Sequence, residues 1–381
     1  MIKSIRIKHL KALQDTKECN VGKITLLTGV NGRGKSSFLQ ALLLLSQSLR
    51  HTGGSPMTLF PNGQWCELGS FQELINIYSD NKEIYIGIKT DAEYENAIEM
   101  VYRSYPDRVT IGELVSCRVD GKETISIQSE SNIESSVEEK EDIGVTRITF
   151  SDLIGLQKLS RLHFIASDRY AAKNDERLDE SLPTFFVGAK GEYALNVLSK
   201  CSLSQHEELQ HAMSYILDGA NLIIDRDDIS NRIYLFLDSI DNGEKFRPIN
   251  VGYGYSYIIS MLLSIIISQP GDSIIIENPE AHLHPQAQSR LMEYLVRVSS
   301  EKNLQCFIET HSDHIVNGLL VSLKEGRLDV GDAQILFFDR KNGEGKPYVD
   351  VVNLEITQSG RVRKPPKGFC DQYGIDLRKL I

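Results

Sequence analysis

A glycine-rich segment at residues 29–37 combines a lysine and two serines in the spacing of a phosphate-binding loop. It reads Gly-Val-Asn-Gly-Arg-Gly-Lys-Ser-Ser and fits the pattern G-x-x-x-x-G-K-[ST]. Glycines let backbone N–H groups converge on phosphate oxygens, and the N-terminus of a following helix adds further N–H donors. The segment therefore predicts a nucleoside-triphosphate site, formed by Gly29, Asn31, Gly32, Gly34, Lys35, Ser36 and Ser37.

Two side chains of this segment would carry the charge and metal chemistry. Lys35 would neutralise the β- and γ-phosphates, and the Ser36 hydroxyl would coordinate Mg²⁺. The other interpretation is a glycine turn that precedes a helix by chance. The full motif lies between an apolar run at 24–27 and a helical pattern at 38–45, and this context favours the phosphate loop.

Two acids and a histidine follow apolar runs later in the sequence. Glu277 ends one such run, and Glu280 comes three residues after it. At the end of a strand beside the phosphate-loop strand, Glu277 would coordinate Mg²⁺, and Glu280 could orient or deprotonate the attacking water. His311 follows the apolar run at 306–308. It would therefore lie at a strand tip, at the edge where ligands bind in open α/β sheets.

Two further places in the sequence could contact an anion. The segment Asn-Val-Gly-Tyr-Gly-Tyr-Ser-Tyr at 250–257 precedes an apolar helical run at 258–267. It forms a second helix N-terminus suited to an anion, although such a turn on its own is weak evidence. Arg169 and Lys190 could each reach a nucleotide phosphate, or could form surface ion pairs instead.

The strands and helices that would position these groups follow from hydrophobic periodicity. Residues 5–7 alternate like an edge strand, and residues 24–27 read as a fully apolar, buried strand. Alternating runs between 83 and 128 predict an antiparallel sheet with one solvated face. The polar stretch 130–142 indicates a solvated loop or hairpin tip. This pattern favours an α/β fold.

The composition is ordinary for a soluble protein. The 381 residues carry a formal net charge of −10, which argues against a broadly basic surface that coats nucleic acid. Six scattered cysteines indicate free thiols in a reducing compartment. The longest apolar stretch, at 258–268, is too short to span a bilayer. We therefore expect a cytoplasmic protein without a membrane partner.

Four of these motifs together resemble those of ABC-type ATPases. They lie at 29–37, 252–256, 274–285 and 309–312. The sequence is most similar to the branch that contains the OLD-family ATPases and related AAA proteins often found in bacterial anti-phage systems. In that branch the acidic stretch commonly runs E-x-P-E-x-H-L-H-P and the histidine switch runs E-T-H-S. Residues 368–373 resemble the short closing module of such ATPases.

The resemblance implies a fold and a division of the chain. The fold would be an α/β P-loop ABC-type ATPase head with a mixed sheet, an antiparallel β subdomain and a helical or irregular middle insertion. The ATPase core with its closing module would comprise residues 1–50 and 240–381. The insertion at 51–239 would place the β subdomain at about 80–150 and the helical part at about 151–239.

The resemblance also implies roles for individual residues. Glu277 takes the position of the Walker B acid, and His311 that of the switch histidine. Gly252, Gly254 and Ser256 stand where the family has its signature sequence, which contacts the ATP of a partner subunit. Such a signature implies a homodimer or a higher even-numbered homo-oligomer that holds ATP and Mg²⁺ at its interface.

Two departures from the family pattern bear on activity. The catalytic glutamate normally follows the Walker B acid directly, and that position is Asn278 here. Either Glu280 does this work or hydrolysis is slow, so we expect weak ATPase activity. The signature reads Gly-Tyr-Gly-Tyr-Ser instead of the common Ser-Gly-Gly form. His282 and His284 lack an evident third ligand, and we do not expect a zinc site.

Two functions are compatible with the resemblance. The first is a sensor or scaffold ATPase in bacterial anti-phage defence that controls a separately encoded effector, such as a nuclease. About seventy residues follow His311 in the chain of 381, so we do not expect a self-contained Toprim nuclease domain. The alternative is a RecF-like, ATP-dependent DNA clamp, with phosphate contacts from Arg361, Arg363, Lys364 and Lys367. Those four cations could equally form a solvated tail.

Overall fold

The structure is a computed structural model that describes residues 1–91, 97–126, 156, 158–238, 243–343 and 346–380. The polar stretch at 130–142 lies outside the described residues. Contacts divide the chain into two compact units. The first contains Met1–Val21, Asn31–Arg161 and Phe338–Asn353, and the second contains Gly22–Val30, Leu162–Phe337 and Leu354–Ile381.

The strands, in chain order, are β1 (Ile2–Leu10), β2 (Leu13–Asp15), β3 (Cys19–Asn20), β4 (Ile24–Gly29), β5 (Thr58–Leu59), β6 (Glu83–Thr90), β7 (Ala97–Tyr105), β8 (Arg108–Val119), β9 (Lys122–Ser126), β10 (His163–Ile165), β11 (Asp175–Arg177), β12 (Asn221–Asp227), β13 (Arg232–Asp238), β14 (Ser273–Glu277), β15 (Gln305–Glu309), β16 (Ala333–Gly343) and β17 (Lys346–Asn353).

The α-helices, in chain order, are α1 (Lys35–His51), α2 (Phe71–Leu74), α3 (Ala194–Ser199), α4 (Leu203–Ile216), α5 (Tyr253–Ile267), α6 (Pro285–Glu301), α7 (Asp313–Lys324) and α8 (Gln372–Leu380). Short 3-10 helices lie at Lys158–Arg161, Pro248–Asn250 and Val330–Asp332.

The first unit is built on an antiparallel sheet with the strand order β2-β1-β6-β7-β8-β5, in which β3 also pairs with β1 and β9 with β8. Alternate residues of β7, such as Ile98 and Met100, are buried, while Glu99 between them is partly exposed. This alternation confirms the predicted sheet with one solvated face. The expectation that residues 5–7 lie in an edge strand is wrong, because β1 pairs with β6 on one side and with β2 and β3 on the other. Alternation shows only that one face of a strand is buried, and this is true of inner antiparallel strands as well as of edge strands.

Helix α1 forms the centre of the first unit. It is buried at every position from 41 to 49, as expected for a helix that is covered on all sides. It packs against β1, β5 and the turn at Lys158–Arg161. At its C-terminal end the Arg50 guanidinium lies 4.8 Å from the centroid of the Trp65 ring. The helix that follows the phosphate loop is therefore held along its length by a packed core.

The second unit is built on parallel strands in the order β10-β14-β15-β4, followed by β16, of which residues 333–337 belong to this unit. The centre of β14 is fully buried, with Ile274, Ile275 and Ile276 at 0% exposure. Continuous apolar strands of this kind are typical of a parallel sheet covered on both faces. With the antiparallel sheet of the first unit, these strands confirm the predicted α/β fold with mixed sheets.

Helix α5 is buried along most of its length, with Ile258–Ile259 and residues 261–263 among its buried positions. It packs against α3, α4 and β10, while α6 and α7 pack against each other. The helix was expected to begin at residue 258, after a glycine-punctuated turn, and this boundary is wrong. The helix begins at Tyr253 with Gly252 as its N-cap. Glycine has a low helix propensity, so Gly254 favoured a turn in the sequence analysis, whereas packing holds this residue in the first turn of the helix.

The middle segment predicted to be helical or irregular contains α3 and α4 and also a small antiparallel sheet. Its strand order is β11-β13-β12, and Ile233, Leu235 and Leu237 of β13 point into the core. The two compact units divide the chain at other points than the predicted segments 1–50, 51–239 and 240–381. Those segments follow motifs along the sequence, whereas the units follow contacts, so the predicted division remains a prediction.

Candidate nucleotide-binding site

The phosphate loop has the strand–turn–helix structure that its motif predicts. Strand β4 ends at Gly29 and helix α1 begins at Lys35. Gly32 and Gly34 have φ angles of 71° and 88°, in the left-handed region that favours glycine. A Cβ atom on Gly34 would also lie 2.7 Å from Cδ2 of Leu13. The backbone of the loop therefore favours glycine at position 34, which the motif fixes, and at position 32, which the motif leaves open.

The start of α1 is suited to an anion. Its first turn contains Lys35, Ser36 and Ser37 and no acidic residue. The N-cap residue is Gly34, and no side chain caps the helix with a hydrogen bond from this position. No acidic side chain of the first turn itself therefore offsets the partial positive charge of this helix N-terminus. Lys35 is 3% exposed, whereas Asn31, Gly32 and Ser36 are exposed.

Three parallel strands of the second unit bring the acids to one edge of the sheet. Strand β15 lies between β14 and β4, and its register pairs Glu309 with Glu277 on one side and with Leu27 on the other. The expectation that the Glu277 strand lies beside the phosphate-loop strand is therefore wrong. Glu309 occupies that neighbouring position, and Glu277 is two strands, or roughly 10 Å, from β4.

Glu277 and Glu309 are adjacent acids in a poorly solvated place. Burial and the negative charge of Glu309 raise the pKa of Glu277 to about 7. The backbone N–H of Ser167 donates to Oε2 of Glu277 over 3.2 Å. Two neighbouring carboxylates of this kind are the hard oxygen donors that a divalent cation prefers. Sequence reasoning missed Glu309, although its position at the end of an apolar run was a usable signal.

The donor set fits Mg²⁺ better than a metal held by protein ligands alone. Among the described residues no group of three or more His, Cys, Asp or Glu side chains could hold a metal ion. Mg²⁺ is usually bound by one or two carboxylates, with waters and substrate phosphates completing its octahedron. The acidic edge of the sheet therefore fits a magnesium–nucleotide complex.

The loop after β14 brings Glu280 and the start of the histidine motif together. Oε2 of Glu280 accepts a hydrogen bond from the Thr310 hydroxyl over 2.9 Å, and Oε1 accepts one from the N–H of His311 over 2.8 Å. His311 is exposed. Glu280 and His311 thus lie next to each other, as the motif order suggested.

Asn278 stands where the catalytic glutamate was expected. It has a φ angle of 44°, and its N–H donates to the carbonyl of Glu309 over 2.9 Å. Its side-chain oxygen is buried and makes no hydrogen bond to the described residues. Asn278 therefore fixes the turn between Glu277 and Glu280.

The signature-like residues form the first turn of α5. Gly252 is exposed and Gly254 is partly exposed. A Cβ atom on Gly254 would lie 2.5 Å from the carbonyl oxygen of His282, so glycine allows the helix to approach the loop before α6. Ser256 is 1% exposed and donates to the carbonyl of Pro248 over 3.3 Å. The hydroxyl that was predicted to contact a partner's ATP is thus engaged within the chain.

An open cavity of about 500 Å³ lies beside this turn. Gly252, Gly254, His282, His284 and Arg290 contribute to its lining. The His282 ring also packs against α5, with its centroid 4.6 Å from that of Tyr257. The start of α5 and the loop before α6 therefore present one continuous concave surface.

The two cations that were left open, Arg169 and Lys190, have different environments. Lys190 forms an ion pair with Asp168, which confirms the surface ion pair. Arg169 is 2% exposed, so both interpretations of this residue, phosphate ligand and surface ion pair, are wrong. Its guanidinium donates to backbone carbonyl groups, described below, and desolvation lowers its pKa. Nothing in the local sequence distinguishes a buried arginine from an exposed one.

Comparison with known proteins finds two family models that match parts of the chain. Residues 157–316 match a model of the AAA ATPase domain. Residues 328–380 match a family described as a protein of unknown function, DUF3696. No curated protein matches the sequence.

Solved structures of SMC head domains have a similar fold. The SmcHead bound to the C-winged helix domain of ScpA has a TM-score of 0.53 and 16% identity, covering 93% of this chain and 98% of that chain. The Smc head domain with an extended coiled coil, bound to the C-terminal domain of ScpA and derived from Pyrococcus furiosus, has a TM-score of 0.52 and 13% identity. It covers 92% of this chain and 96% of that chain.

The described helices include none with the length and apolar character needed to cross a membrane. Residues 157–316, which include the acidic sheet edge, match the model of the AAA ATPase domain, and the fold of the chain is similar to that of SMC head domains.

Proposed function

We propose that the protein binds ATP with Mg²⁺, hydrolyses it slowly, and uses it to hold two copies of the chain together. The acidic edge with Glu277 and Glu309 carries this proposal, because two adjacent carboxylates, one half-buried and one buried, favour a cation brought in by a nucleotide. The left-handed glycines at positions 32 and 34 support a phosphate contact at the motif.

Each predicted residue has a role in this proposal. Backbone N–H groups of residues 29–37 bind the phosphates, and Lys35 neutralises their charge. By the resemblance to ABC-type ATPases, Ser36 and Glu277 are the residues that would hold Mg²⁺, which would neutralise phosphate charge. Glu280 orients the attacking water, and His311 lies at the same edge to contact the γ-phosphate.

The hydrogen bonds of Glu280 support slow hydrolysis. Both carboxylate oxygens accept hydrogen bonds, from Thr310 and from the N–H of His311. An attacking water competes with these two donors for the Glu280 oxygens. With asparagine at position 278, Glu280 is the remaining acid of the loop, and we expect a low kcat.

The first turn of α5 supports a second copy as the partner. Gly252 and Tyr253 are exposed at the start of a helix of 15 residues, beside the cavity of about 500 Å³. An exposed helix N-terminus is suited to a phosphate group that the same chain does not cover. In the proposed dimer Gly252, Gly254 and the Ser256 turn contact the ATP bound by the other copy.

Purified protein tests ATP-dependent dimerisation directly. The mass in solution, measured by light scattering with Mg²⁺ and a non-hydrolysable ATP analogue, should change from one copy to two. Lys35→Ala should remain a single copy under the same conditions and should lose ATP binding. A wild-type protein that binds ATP without a change in mass would contradict the dimer, and one that binds no ATP would contradict the whole proposal.

The cellular role that we propose is a sensor or scaffold that controls a separate effector in anti-phage defence, in the cytoplasm. Its support is the resemblance of the acidic and histidine motifs to the OLD-like branch. Tagged protein, purified from its own host at native expression, should retain a stoichiometric partner whose recovery changes with Lys35→Ala. A protein recovered alone, or one that cleaves DNA by itself with Mg²⁺ or Mn²⁺, would contradict this role.

A RecF-like DNA clamp is the second candidate, and a basic segment favours it. Arg361, Lys364 and Lys367 are exposed, while Arg363 pairs with Glu355 over 2.6 Å. A clamp predicts duplex binding that requires ATP and weakens steeply with salt. A mobility shift that Lys364→Glu and Lys367→Glu abolish would support it, and the absence of any ATP-dependent shift would exclude it.

A further inference from the structure

Arg169 is a buried cation whose hydrogen bonds all go to backbone carbonyl groups. Its Nε donates to Tyr257, and one terminal nitrogen donates to Ala166 and Glu277. The other terminal nitrogen donates to Asn278. The four distances lie between 3.1 and 3.3 Å, and the residue is 2% exposed.

These four acceptors belong to three separate segments of the second unit. Ala166 follows β10, Tyr257 lies in the first two turns of α5, and Glu277 and Asn278 end β14. A planar guanidinium has five N–H groups in a fixed fork and can join several acceptors in a defined geometry. One side chain therefore links the start of α5 to the end of the acid-bearing strand.

The segment that carries Arg169 also contacts the acid itself. The N–H of Ser167 donates to the Glu277 carboxylate over 3.2 Å, while Arg169 donates to the carbonyl groups of two successive residues, Glu277 and Asn278. Asn278 has a positive φ of 44°. The hydrogen bonds from Arg169 stabilise this turn and thereby the direction of the Asn278 carbonyl group. Residues 166–169 thus hold both the backbone and the side chain of Glu277.

A role in stability alone does not explain a cation here. Burying a guanidinium costs free energy that its hydrogen bonds only offset, and apolar side chains of similar volume often serve a core as well or better. The property that an apolar side chain lacks is the simultaneous connection of three segments. We therefore attribute the buried guanidinium to this connection between segments.

We propose that Arg169 is a positioning residue that couples the first turns of α5 to the end of β14, so that a displacement of α5 moves Glu277. This inference rests on the proposed function, in which the start of α5 contacts ATP bound by a second copy and Glu277 holds Mg²⁺. Binding at the signature turn would then be transmitted to the hydrolytic residues of the same chain through one side chain.

Two variants and a matched control test the coupling in the full-length protein. Arg169→Lys keeps the charge, but its single ammonium group cannot reach all three segments, and Arg169→Met removes the charge and the donors. Arg297→Lys is the control, because Arg297 is exposed on α6 and pairs with Glu301 over 3.2 Å. The measurements are hydrogen exchange without nucleotide, ATP affinity, and kcat.

Coupling predicts a separation between binding and turnover. Arg169→Lys should bind ATP within about threefold of wild type, while its kcat falls by at least about tenfold, since small displacements of reacting groups have effects of this size. Exchange at 253–257 and at 277–280 should increase together in both variants. Arg297→Lys should match wild type in every measurement.

Three results would overturn the inference. Exchange that increases at only one of the two segments would show that Arg169 does not link them. A uniform increase across the second unit, with ATP affinity and kcat reduced in proportion, would show a role in stability alone. Arg169 variants that match Arg297→Lys would show no role. If wild-type protein binds no ATP, the proposed function fails, and the exchange data still decide whether Arg169 links the segments.

Discussion

At the scale of single residues, the acids of the second unit differ in what surrounds them. Glu277 is mostly buried beside Glu309 and has a raised pKa. Glu280 instead accepts two hydrogen bonds, from a hydroxyl and a backbone N–H. These environments separate an acid beside a second carboxyl group from an acid that is engaged in hydrogen bonds. Each leads to a measurement.

Replacing Glu277 should change how stability depends on pH. Burial and Glu309 raise its pKa from 4.5 to about 7, so between these values the folded protein binds a proton that the unfolded chain releases. The free energy of unfolding should therefore fall as pH rises through this window, by about 3 kcal/mol. Without metal or nucleotide, Glu277→Gln should be more stable than wild type at pH 8 and closer to it at pH 4.5.

Thermal unfolding in the presence of a chelator measures this difference. Glu301→Gln is the control, since Glu301 is an exposed residue of α6. A wild-type protein and a Glu277→Gln variant with the same change in stability between pH 4.5 and pH 8 would contradict the prediction.

Replacing Glu280 should separate hydrolysis from dimerisation. In Glu280→Gln the side chain can no longer act as a base, and its amide can accept only one of the two present hydrogen bonds. Removal of a catalytic base usually lowers the rate by about 10²–10⁴-fold, whereas the phosphate loop is unchanged. We expect kcat to fall by at least about tenfold with ATP-dependent dimers retained, as measured by turnover and light scattering. Unchanged kcat would remove Glu280 from the mechanism.

At the scale of elements, close packing positions the start of α5. Gly254 allows the helix to approach the His282 carbonyl, where a Cβ atom would lie at 2.5 Å. The aromatic rings of Tyr257 and His282 add a contact at 4.6 Å between their centroids. The helix start and the loop before α6 therefore form one packed structure, and a bulkier residue at 254 should separate them.

Gly254→Ala should weaken both the fold and the proposed dimer. Overpacking of a close contact usually costs about 1–3 kcal/mol, and here the displaced group is backbone, which cannot rotate away. Gly331→Ala is a matched control, because a Cβ atom there would have no neighbour within 4 Å and its φ is not positive. Urea unfolding and ATP-dependent mass measure the two effects. Equal stability of the two variants would show that the His282 contact relaxes without cost.

At the scale of the whole molecule, the proposed dimer makes stability depend on protein concentration. Ligand binding to the folded state stabilises it, and association of two copies adds a term that grows with concentration. With Mg²⁺ and a non-hydrolysable ATP analogue, the melting temperature of wild type should rise when the protein is concentrated tenfold. Lys35→Ala should show no such rise, and neither should wild type without nucleotide.

A melting temperature that is independent of concentration in the presence of nucleotide would contradict association. It would leave ATP binding itself to be judged from the difference between wild type and Lys35→Ala at one concentration. The two parts of the proposal are therefore measured separately.

Local sequence was enough for the phosphate loop, the class of fold and the solvated antiparallel sheet. In each case the signal is local, since left-handed glycines, apolar runs and alternation act within a few residues. Gly29 and Gly34, the two glycines that the motif specifies, both have positive φ angles. The buried strand at 24–27 is part of β4. These features depend on steric limits on the backbone and on the burial of apolar side chains, and both act within a short segment.

Only the tertiary structure decided which strands are neighbours and which charges are buried. Strand β15 lies between the phosphate-loop strand and the Glu277 strand, so Glu309 is the nearer acid. Arg169 is buried among carbonyl groups of residues that lie up to 109 positions away from it in the chain. Strand order and the desolvation of a charge depend on which distant segments pack together, and no pattern of neighbouring residues carries that information.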